Sequence, residues 1–463
     1  TDSPQLRDRL VAMADDESAR VRMQVAYTLG ELNDPRAAQA LAHLAARDGG
    51  DVWCRTAILS SLGDIGAAEP GKPSKAQVML TTLTRDTSRV AEIPSELLAQ
   101  LVVLIGTRNR TDEVKSALEF ITTAIPAGQG ERQWSMLRGL ADGRRRAGEK
   151  SGFLTVPGDN PGGASAARVR EILDGAAAAA KDENADNARR VAAIGLLGYD
   201  SFDKVHASLV ATLNPRQPQP VQLAAVRTLS AYGDPSVAGL LLAPWKTYTP
   251  PVRREALEAL LSRADRVPQL LNALEDGTVR RGDIEVDRRA QLLQHRDAAI
   301  QERAKKLLGS ATSEDRGKVI AKYRPALDGP VSAERGKEAF KKHCATCHRF
   351  QGEGTEVGPE LRTVQERTAD QLLEQILDPG REVNPAYINY TVALTDGRIL
   401  TGIIAGESAT SITLKRAEGV TDTILRAQID EMISTGLSIM PEGLEKDVSP
   451  DHLADIIAYI RTR

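Results

Sequence analysis

The residues with the clearest chemistry lie in the segment Cys344-Ala345-Thr346-Cys347-His348, which has the spacing C-x-x-C-H. Two thiols at this spacing fit on one helical turn and can add to the two vinyl groups of one porphyrin, leaving the adjacent histidine to face the iron. We therefore predict one haem c, bound covalently through Cys344 and Cys347, with His348 as an axial ligand.

Two other chemistries are open to a C-x-x-C pair. A thioredoxin-type redox site belongs to a βαβ context, whereas residues 335–343, just before Cys344, have a helical pattern. A structural zinc site needs two further Cys or His ligands, and the third cysteine, Cys54, lies far away in the sequence. Both alternatives stay open, and the motif favours haem.

The composition sets broad limits on the fold and the partners. The 463 residues suffice for two or three domains. A hydrophobic share of 41% with only 3% aromatic residues favours many helices packed through small aliphatic side chains. The net charge of −3 argues against a broad nucleic-acid surface. Because the sequence has no long apolar run, we expect no transmembrane segment.

The chain begins at Thr1 without a visible signal peptide. Covalent haem attachment normally takes place outside the bacterial cytoplasm. We therefore expect a periplasmic or otherwise extracytoplasmic protein, and a chain that is a mature or excised piece of a longer one.

A helical motif with a period of about 31 residues runs through the first two-thirds of the chain. Its copies begin at Val21, Val52, Val191, Val221 and Val252, with a fainter one at Ile300. Each copy is an apolar-faced helix pair that must stack on its neighbours to bury a core. The V-R-x-x-A pattern resembles HEAT repeats, and an armadillo-like solenoid is equally allowed.

Segments rich in helix-breaking residues interrupt this array. The Asp-Pro pairs in residues 33–35 and 233–235 predict helix restarts, with proline in the first turn of the new helix. Residues 69–73 predict a surface loop. Residues 153–163 predict a longer loop. It could be a linker, a lid, a loop that binds a partner, or a surface insertion without a specific function. The repeat pattern ends near Pro325, which predicts domains at 1–325 and 326–463.

The second domain resembles a small monohaem cytochrome c. A helix from Ala333 to Lys342 leads into the C-x-x-C-H motif, and a final helix follows Ser449-Pro450. Residues 358–361 look like the G-P-x-L turn of that family, which implies that the Pro359 carbonyl accepts a hydrogen bond from the histidine ligand. The family's crossing of first and last helices would involve Gly336, Phe340 and Tyr459.

The resemblance also implies a methionine as the sixth iron ligand. Met440 is followed by Pro441 in a late loop, as in families that use His and Met. Met432 is the rival, but its surroundings are typical of a strand or a core residue. Met ligation raises the reduction potential relative to a second histidine.

A small antiparallel sheet is predicted as an insertion at about residues 388–433. Alternating β-branched segments occur at 390–395, 399–404, 411–415 and 421–425, with Asp396-Gly397 as a hairpin turn. With the segment 378–387, this layout closely resembles the haem-binding C-terminal domain of planctomycetes and verrucomicrobia, which often follows HEAT-like repeats. Longer members carry a β-propeller resembling sugar dehydrogenases, and no propeller is predicted here.

Four polar residues near the insertion are candidates for hydrogen bonds to the haem propionates: Arg381, Asn384, Tyr387 and Tyr390. Arginine and tyrosine suit carboxylates at a half-buried edge. The equally supported alternative is a turn that pins the sheet to the helices.

These patterns together predict a mainly α protein. A HEAT/armadillo-like α-solenoid is followed by a class I cytochrome c-like helical domain with an inserted small antiparallel β-sheet. The expected function is an electron-transfer module with His/Met-ligated haem, and the repeats would be a docking scaffold. The donor would be a partner dehydrogenase, possibly an upstream domain of the same polypeptide, and the acceptor another carrier.

Two other functions are compatible with the motif. A catalytic or sensor haem would need a displaceable Met440, and a repeat scaffold could carry an incidental haem. We favour an electron carrier over an enzyme, because any dehydrogenase activity would reside in a partner or an upstream domain.

Overall fold

The computed structural model describes residues 3–63, 73–85, 87–156, 163–308 and 314–462. The chain folds into two compact units, Thr1–Ser208 and Leu209–Arg463. Of the two loops predicted within the array, residues 69–72 and 157–162 lie outside the described residues. Within the ranges just given, no helix is both long enough and apolar enough to cross a membrane.

The first unit is built from α-helices that carry the repeating alanine of the sequence motif. Ala26 and Ala57 are both buried, as a small residue at a helix contact should be, whereas Val52 is 55% exposed. The helices are α1 (Pro4–Ala12), α2 (Ala19–Gly30), α3 (Pro35–Asp48), α4 (Val52–Ser60), α5 (Lys75–Leu83), α6 (Ser95–Arg108), α7 (Thr111–Thr123), α8 (Gly130–Arg146), α9 (Ala164–Lys181) and α10 (Asn187–Leu197).

Local capping explains where these helices restart. Asp34 caps α3 by accepting a hydrogen bond from the Arg36 amide at 2.9 Å, and Pro35 occupies the first turn. Arg22, which follows Val21 in the first copy of the repeat motif, is buried and pairs with Asp48 at 2.6 Å. This ion pair joins α2 to the end of α3.

The second unit continues the helical array and then forms the C-terminal domain. Ala225 and Ala256, at the repeat position, are fully buried. Its helices, counting one that crosses the division between the units, are α11 (Phe202–Ala211), α12 (Gln219–Ala231), α13 (Val237–Leu242), α14 (Pro250–Leu261), α15 (Val267–Glu275), α16 (Val286–Leu293), α17 (Ala298–Leu308), α18 (Glu314–Tyr323), α19 (Ala333–His343), α20 (Ala369–Leu377) and α21 (Pro450–Ile460).

The second Asp-Pro restart differs from the prediction. Helix α13 begins at Val237, two residues after Pro235. Here the Asp234 carboxylate accepts hydrogen bonds from both the amide and the hydroxyl of Ser236, at 2.9 and 2.5 Å, which hold Ser236 in a turn before the helix.

The predicted insertion is a five-stranded antiparallel sheet with the order β6-β5-β4-β3-β7. A separate two-stranded ribbon, β1–β2, follows the C-x-x-C-H motif. The last strand reaches Ser438, five residues beyond the predicted end of the insertion. The strands are β1 (Arg349–Phe350), β2 (Glu353–Gly354), β3 (Ile388–Leu394), β4 (Ile399–Glu407), β5 (Ser411–Lys415), β6 (Thr421–Leu425) and β7 (Ile429–Ser438).

Helices α19 and α21 cross at Gly336. A Cβ atom there would overlap the carbonyl of Asp455 and come within 2.9 Å of the Tyr459 Cβ, so only glycine permits this close approach. Phe340 and Tyr459 pack against each other at the crossing, with ring centroids 5.7 Å apart. The predicted crossing of first and last helices is therefore present.

Helix α18 shares the core of the C-terminal domain. Ile320 and Tyr323 are buried in the same apolar cluster as Phe340. The Tyr323 hydroxyl donates to the carbonyls of Glu445 and Val448 at 3.0 and 2.7 Å. The predicted boundary at 325/326 thus falls just after a helix that packs into this domain.

The inserted sheet has its own apolar core and also contacts the helical array of the same unit. The buried Tyr390 of β3 donates its hydroxyl proton to the carbonyl of Tyr248 at 2.9 Å. Arg216 donates to the carbonyl of Ile429, at the start of β7, at 2.7 Å. The sheet therefore joins the C-terminal domain to the array.

Candidate haem site

The C-x-x-C-H segment forms one tight turn at the end of α19. The amides of Cys347 and His348 both donate to the Cys344 carbonyl, at 3.1 and 2.9 Å. The Cys347 carbonyl in turn accepts from the amides of Val357 and Gly358, at 3.0 and 2.7 Å. Both thiols are thus held by backbone bonds, one turn apart.

The electrostatics of the two thiols differ from those of a thioredoxin-type site. Cys344 and Cys347 are free cysteines, both half-buried. Burial raises the pKa of the Cys344 thiol to about 12, and burial also raises the pKa of the Cys347 thiol. Redox-active C-x-x-C pairs need a lowered thiol pKa instead, and a helix rather than a strand precedes the motif.

His348 is oriented by the Gly-Pro turn. Its Nδ1 lies 2.9 Å from the carbonyl oxygen of Pro359. Because a carbonyl can only accept, Nδ1 carries a proton, and Nε2 is the ring nitrogen left for a metal. Burial lowers the pKa of His348, and the bond to Pro359 opposes this shift. The bond to Pro359 fixes the imidazole in one orientation, with Nε2 as the nitrogen that can bind a metal.

Gly358 completes this arrangement by leaving room for the imidazole. A Cβ atom at position 358 would lie 2.5 Å from Cε1 and 2.9 Å from Nδ1 of His348. Both distances are too short for non-bonded atoms, so the ring packs directly against the glycine backbone.

We expect Gly358→Ala to destabilise the C-terminal domain by about 1–3 kcal/mol, the usual cost of overpacking. The added methyl group must displace His348 and weaken its bond to Pro359. Denaturant unfolding measures this loss. Gly317→Ala is the matched control, because nothing lies within 4 Å of a Cβ at this position in α18. An unchanged midpoint for Gly358→Ala would contradict the close packing.

One contact to the motif comes from the inserted sheet and has no signal in the sequence. The loop between β5 and β6 places the Glu418 amide 3.0 Å from the carbonyl of Thr346, between the two cysteines. The Thr355 hydroxyl donates to the same carbonyl at 2.6 Å. Glu418 adopts φ = +63°, a strained conformation for a non-glycine residue. The insertion therefore holds the haem-binding turn directly.

The two candidate methionines lie in different environments. Met432 is fully buried in the sheet core and pairs with Val392 across β3 and β7. Met440 is half-buried in the loop after β7, and its amide donates to the Ser438 hydroxyl at 3.2 Å. Packing thus accounts for Met432, while Met440 lies outside the sheet core on the loop after β7.

The four propionate candidates have separate surroundings. The Arg381 guanidinium pairs with Glu374 at 2.8 Å, and the Asn384 side chain accepts from the Ala386 amide at 3.0 Å. The Tyr387 carbonyl accepts from the Ile439 amide at 3.0 Å, next to Met440. Tyr387 alone of the four is therefore tied to the Met440 segment by a contact in the described structure.

Tyr390, the fourth candidate, contacts the helical array. It is fully buried. Its hydroxyl donates to Tyr248 in the helical array, and its ring lies 5.6 Å from the Arg253 guanidinium. This geometry favours the alternative interpretation, in which the residue pins the sheet to the helices.

Fold and site together define a helical-repeat protein that ends in a domain of the cytochrome c class. Residues 333–463 match the family model for cytochrome c, and residues 1–63 match the model for HEAT repeats. A search of the curated proteins found no match. The chain thus carries HEAT repeats at its N-terminal end and a cytochrome c domain at its C-terminal end, which supports a haem-binding, electron-transfer role.

The site residues fit a haem c. Two free thiols one turn apart match two vinyl groups, and the fixed imidazole leaves Nε2 as the nitrogen for iron. When bound, the haem supplies a one-electron redox couple, and the protein sets its ligands and surroundings.

Proposed function

We propose that this chain is an electron carrier with one haem c, covalently attached through Cys344 and Cys347 and ligated by His348 and Met440. The observation that carries the proposal is the bond from His348 Nδ1 to the Pro359 carbonyl, which leaves Nε2 as the only ring nitrogen free to bind iron. The location of Met440 on an irregular loop supports its role as the sixth ligand.

In this function each residue has a defined task. The Cys344 and Cys347 thiols would fix the porphyrin position by adding across its two vinyl groups, each S–H becoming a thioether. Pro359 holds His348 in one tautomer and orientation, which also increases the electron density that the imidazole donates. His348 and Met440 would both hold the iron, which would leave no coordination site for oxygen or a substrate.

The donor, acceptor and location belong to the same proposal. The donor is a dehydrogenase, either a separate protein or another domain of the same polypeptide, and the acceptor is a second carrier. Because covalent haem attachment takes place outside the bacterial cytoplasm, the protein acts in the periplasm or an equivalent compartment. The HEAT repeats then supply a docking surface for a redox partner.

The test is the absorption spectrum of the full chain with its haem. We expect six-coordinate, low-spin iron with a Met-to-iron charge-transfer band in the oxidised protein. Met440→Leu should abolish this band and give a large increase in the rate at which carbon monoxide binds the reduced protein, because it removes the only thioether on that loop.

Met432→Leu is the matched control, since it makes the same replacement in the sheet core at a cost below about 1.5 kcal/mol. It should leave the band intact. High-spin iron or rapid carbon monoxide binding in the unsubstituted chain would contradict the electron-carrier proposal and favour a catalytic or sensor haem.

A further inference from the structure

A short turn in the helical array, Arg280–Asp283, lies against the segments that flank the Met440 loop. We call it the RRGD turn. It follows α15, and its last residue, Asp283, is 5% exposed. It lies far from the haem motif in the sequence and belongs to the part of the chain predicted as a scaffold.

Asp283 fixes the turn from inside the array. One carboxylate oxygen accepts from Trp245 Nε1 at 3.1 Å and from the Arg280 amide at 2.8 Å. The other accepts from Arg253 Nη1 at 2.9 Å. Three donors on a buried carboxylate leave the turn little freedom to move.

The outer side of the turn contacts the last strand of the inserted sheet. The Arg280 guanidinium donates to the carbonyl of Thr435 on β7. The side chain of Arg280 also lies over Gly436, where it would collide with any Cβ atom. Met440 follows only four residues after this contact.

The same turn contacts the chain that leads into β3. A Cβ atom on Gly282 would lie 3.4 Å from the Val383 Cβ and 3.5 Å from the Gly436 carbonyl oxygen. Gly282 therefore packs between these two segments. Arg281 extends toward Glu382, with 3.9 Å between the guanidinium and the carboxylate.

The two segments converge again beside Met440. The Ile439 amide donates to the Tyr387 carbonyl at 3.0 Å, and the Met440 amide donates to the Ser438 hydroxyl at 3.2 Å. A displacement of either segment at the RRGD turn is thus passed along a few residues of hydrogen-bonded backbone to Met440.

We infer that the RRGD turn is a positioning element for the sixth haem ligand, so that the helical array forms part of the cofactor machinery and is more than a docking scaffold. This inference rests on the proposed role of Met440. In this role Arg280 and Gly282 act through the backbone of β7 and of residues 383–387.

The experiment uses the full chain with its haem and two variants of the turn. Arg280→Ala removes the bond to Thr435, and Gly282→Val forces its two neighbouring segments apart. Both should weaken the Met-to-iron band and speed carbon monoxide binding to the reduced protein by about two- to tenfold, the range expected for losing one hydrogen bond. Arg280→Lys should restore part of the band.

A second readout follows the backbone without using the haem spectrum. Hydrogen exchange of the Ile439 amide should accelerate by a similar factor in Arg280→Ala, because its bond to Tyr387 opens more often. Arg216→Ala is the matched control. This exposed arginine of the array also donates to a β7 carbonyl, that of Ile429, but at the far end of the strand.

The two readouts together test whether the RRGD turn positions Met440. A change in both readouts for Arg280→Ala but not for Arg216→Ala supports a positioning role. Equal changes in the two variants, or none in either, overturn it. If Met440→Leu leaves the band intact, the ligand assignment itself fails. If Met440→Leu removes the band while Arg280→Ala changes nothing, only the positioning role fails.

Discussion

A chain with both Cys344→Ser and Cys347→Ser is expected to carry no covalently attached haem. Serine hydroxyls do not add to the porphyrin vinyl groups as thiols do, so neither thioether can form. His348 and Met440 are unchanged, so any haem that still binds is held only by coordination and packing, and denaturation releases it. The measurement is haem staining of the denatured chain, supported by its intact mass.

Single variants and a remote control sharpen this test. Cys344→Ser or Cys347→Ser alone should retain haem through one thioether, and its alkaline pyridine spectrum should shift because one vinyl group stays conjugated. Cys54→Ser alters the third cysteine, which is buried in α4, and should keep the normal spectrum. Covalent haem on the double variant would refute attachment through this motif.

The sequence predicts those parts of the site whose signals are local. A few adjacent residues are enough to identify each of three features: the C-x-x-C-H spacing, the Gly358-Pro359 turn and the alternating pattern of β3. Each also corresponds to short-range hydrogen bonds, such as those of Cys347 and His348 to the Cys344 carbonyl. Local patterns therefore locate the haem-binding turn and the strands.

Contacts between distant segments could not be predicted in this way. Nothing near Glu418 indicates that its amide bonds to Thr346, because backbone groups carry no residue-specific signal. Asp283 looks like an ordinary turn aspartate in the sequence, yet it is a buried acceptor for three donors. Such roles depend on how the array and the sheet pack together, which no periodicity encodes.

Tyr390 illustrates the limit of reasoning from residue type. Its residue type makes it a candidate for binding a carboxylate at a half-buried edge, whereas the structure shows it fully buried. Its hydroxyl can serve equally well as a donor to a carboxylate or to a backbone carbonyl. Only the fold shows that Tyr248 supplies the acceptor.

Arg253→Met is expected to destabilise the second unit by about 3–5 kcal/mol, the usual effect of removing one partner of a buried ion pair. Arg253 and Asp283 are both almost fully buried and lie 2.9 Å apart. The substitution leaves the Asp283 charge without its ionic partner. It also removes the guanidinium that lies 5.8 Å from the Trp245 ring and 5.6 Å from the Tyr390 ring.

The neighbouring residue provides a control within the same helix. Arg254 pairs with Glu285 at 2.8 Å, but its side chain is 58% exposed. Arg254→Met should therefore cost no more than about 1 kcal/mol, as is typical of exposed pairs. The two ion pairs have similar lengths but differ in burial. The difference in the free energy of unfolding between the two variants therefore measures the effect of burial.

The transition of the second unit can be followed by itself. The chain has three tryptophans, and only Trp245 lies in the second unit. With Trp53 and Trp134 replaced by phenylalanine, denaturant unfolding monitored by fluorescence reports on Trp245 alone. Adding Asp283→Asn to Arg253→Met should recover part of the loss, because it removes the uncompensated charge. Equal midpoints for the Arg253 and Arg254 variants would contradict the large stabilisation expected from the buried pair of Arg253 and Asp283.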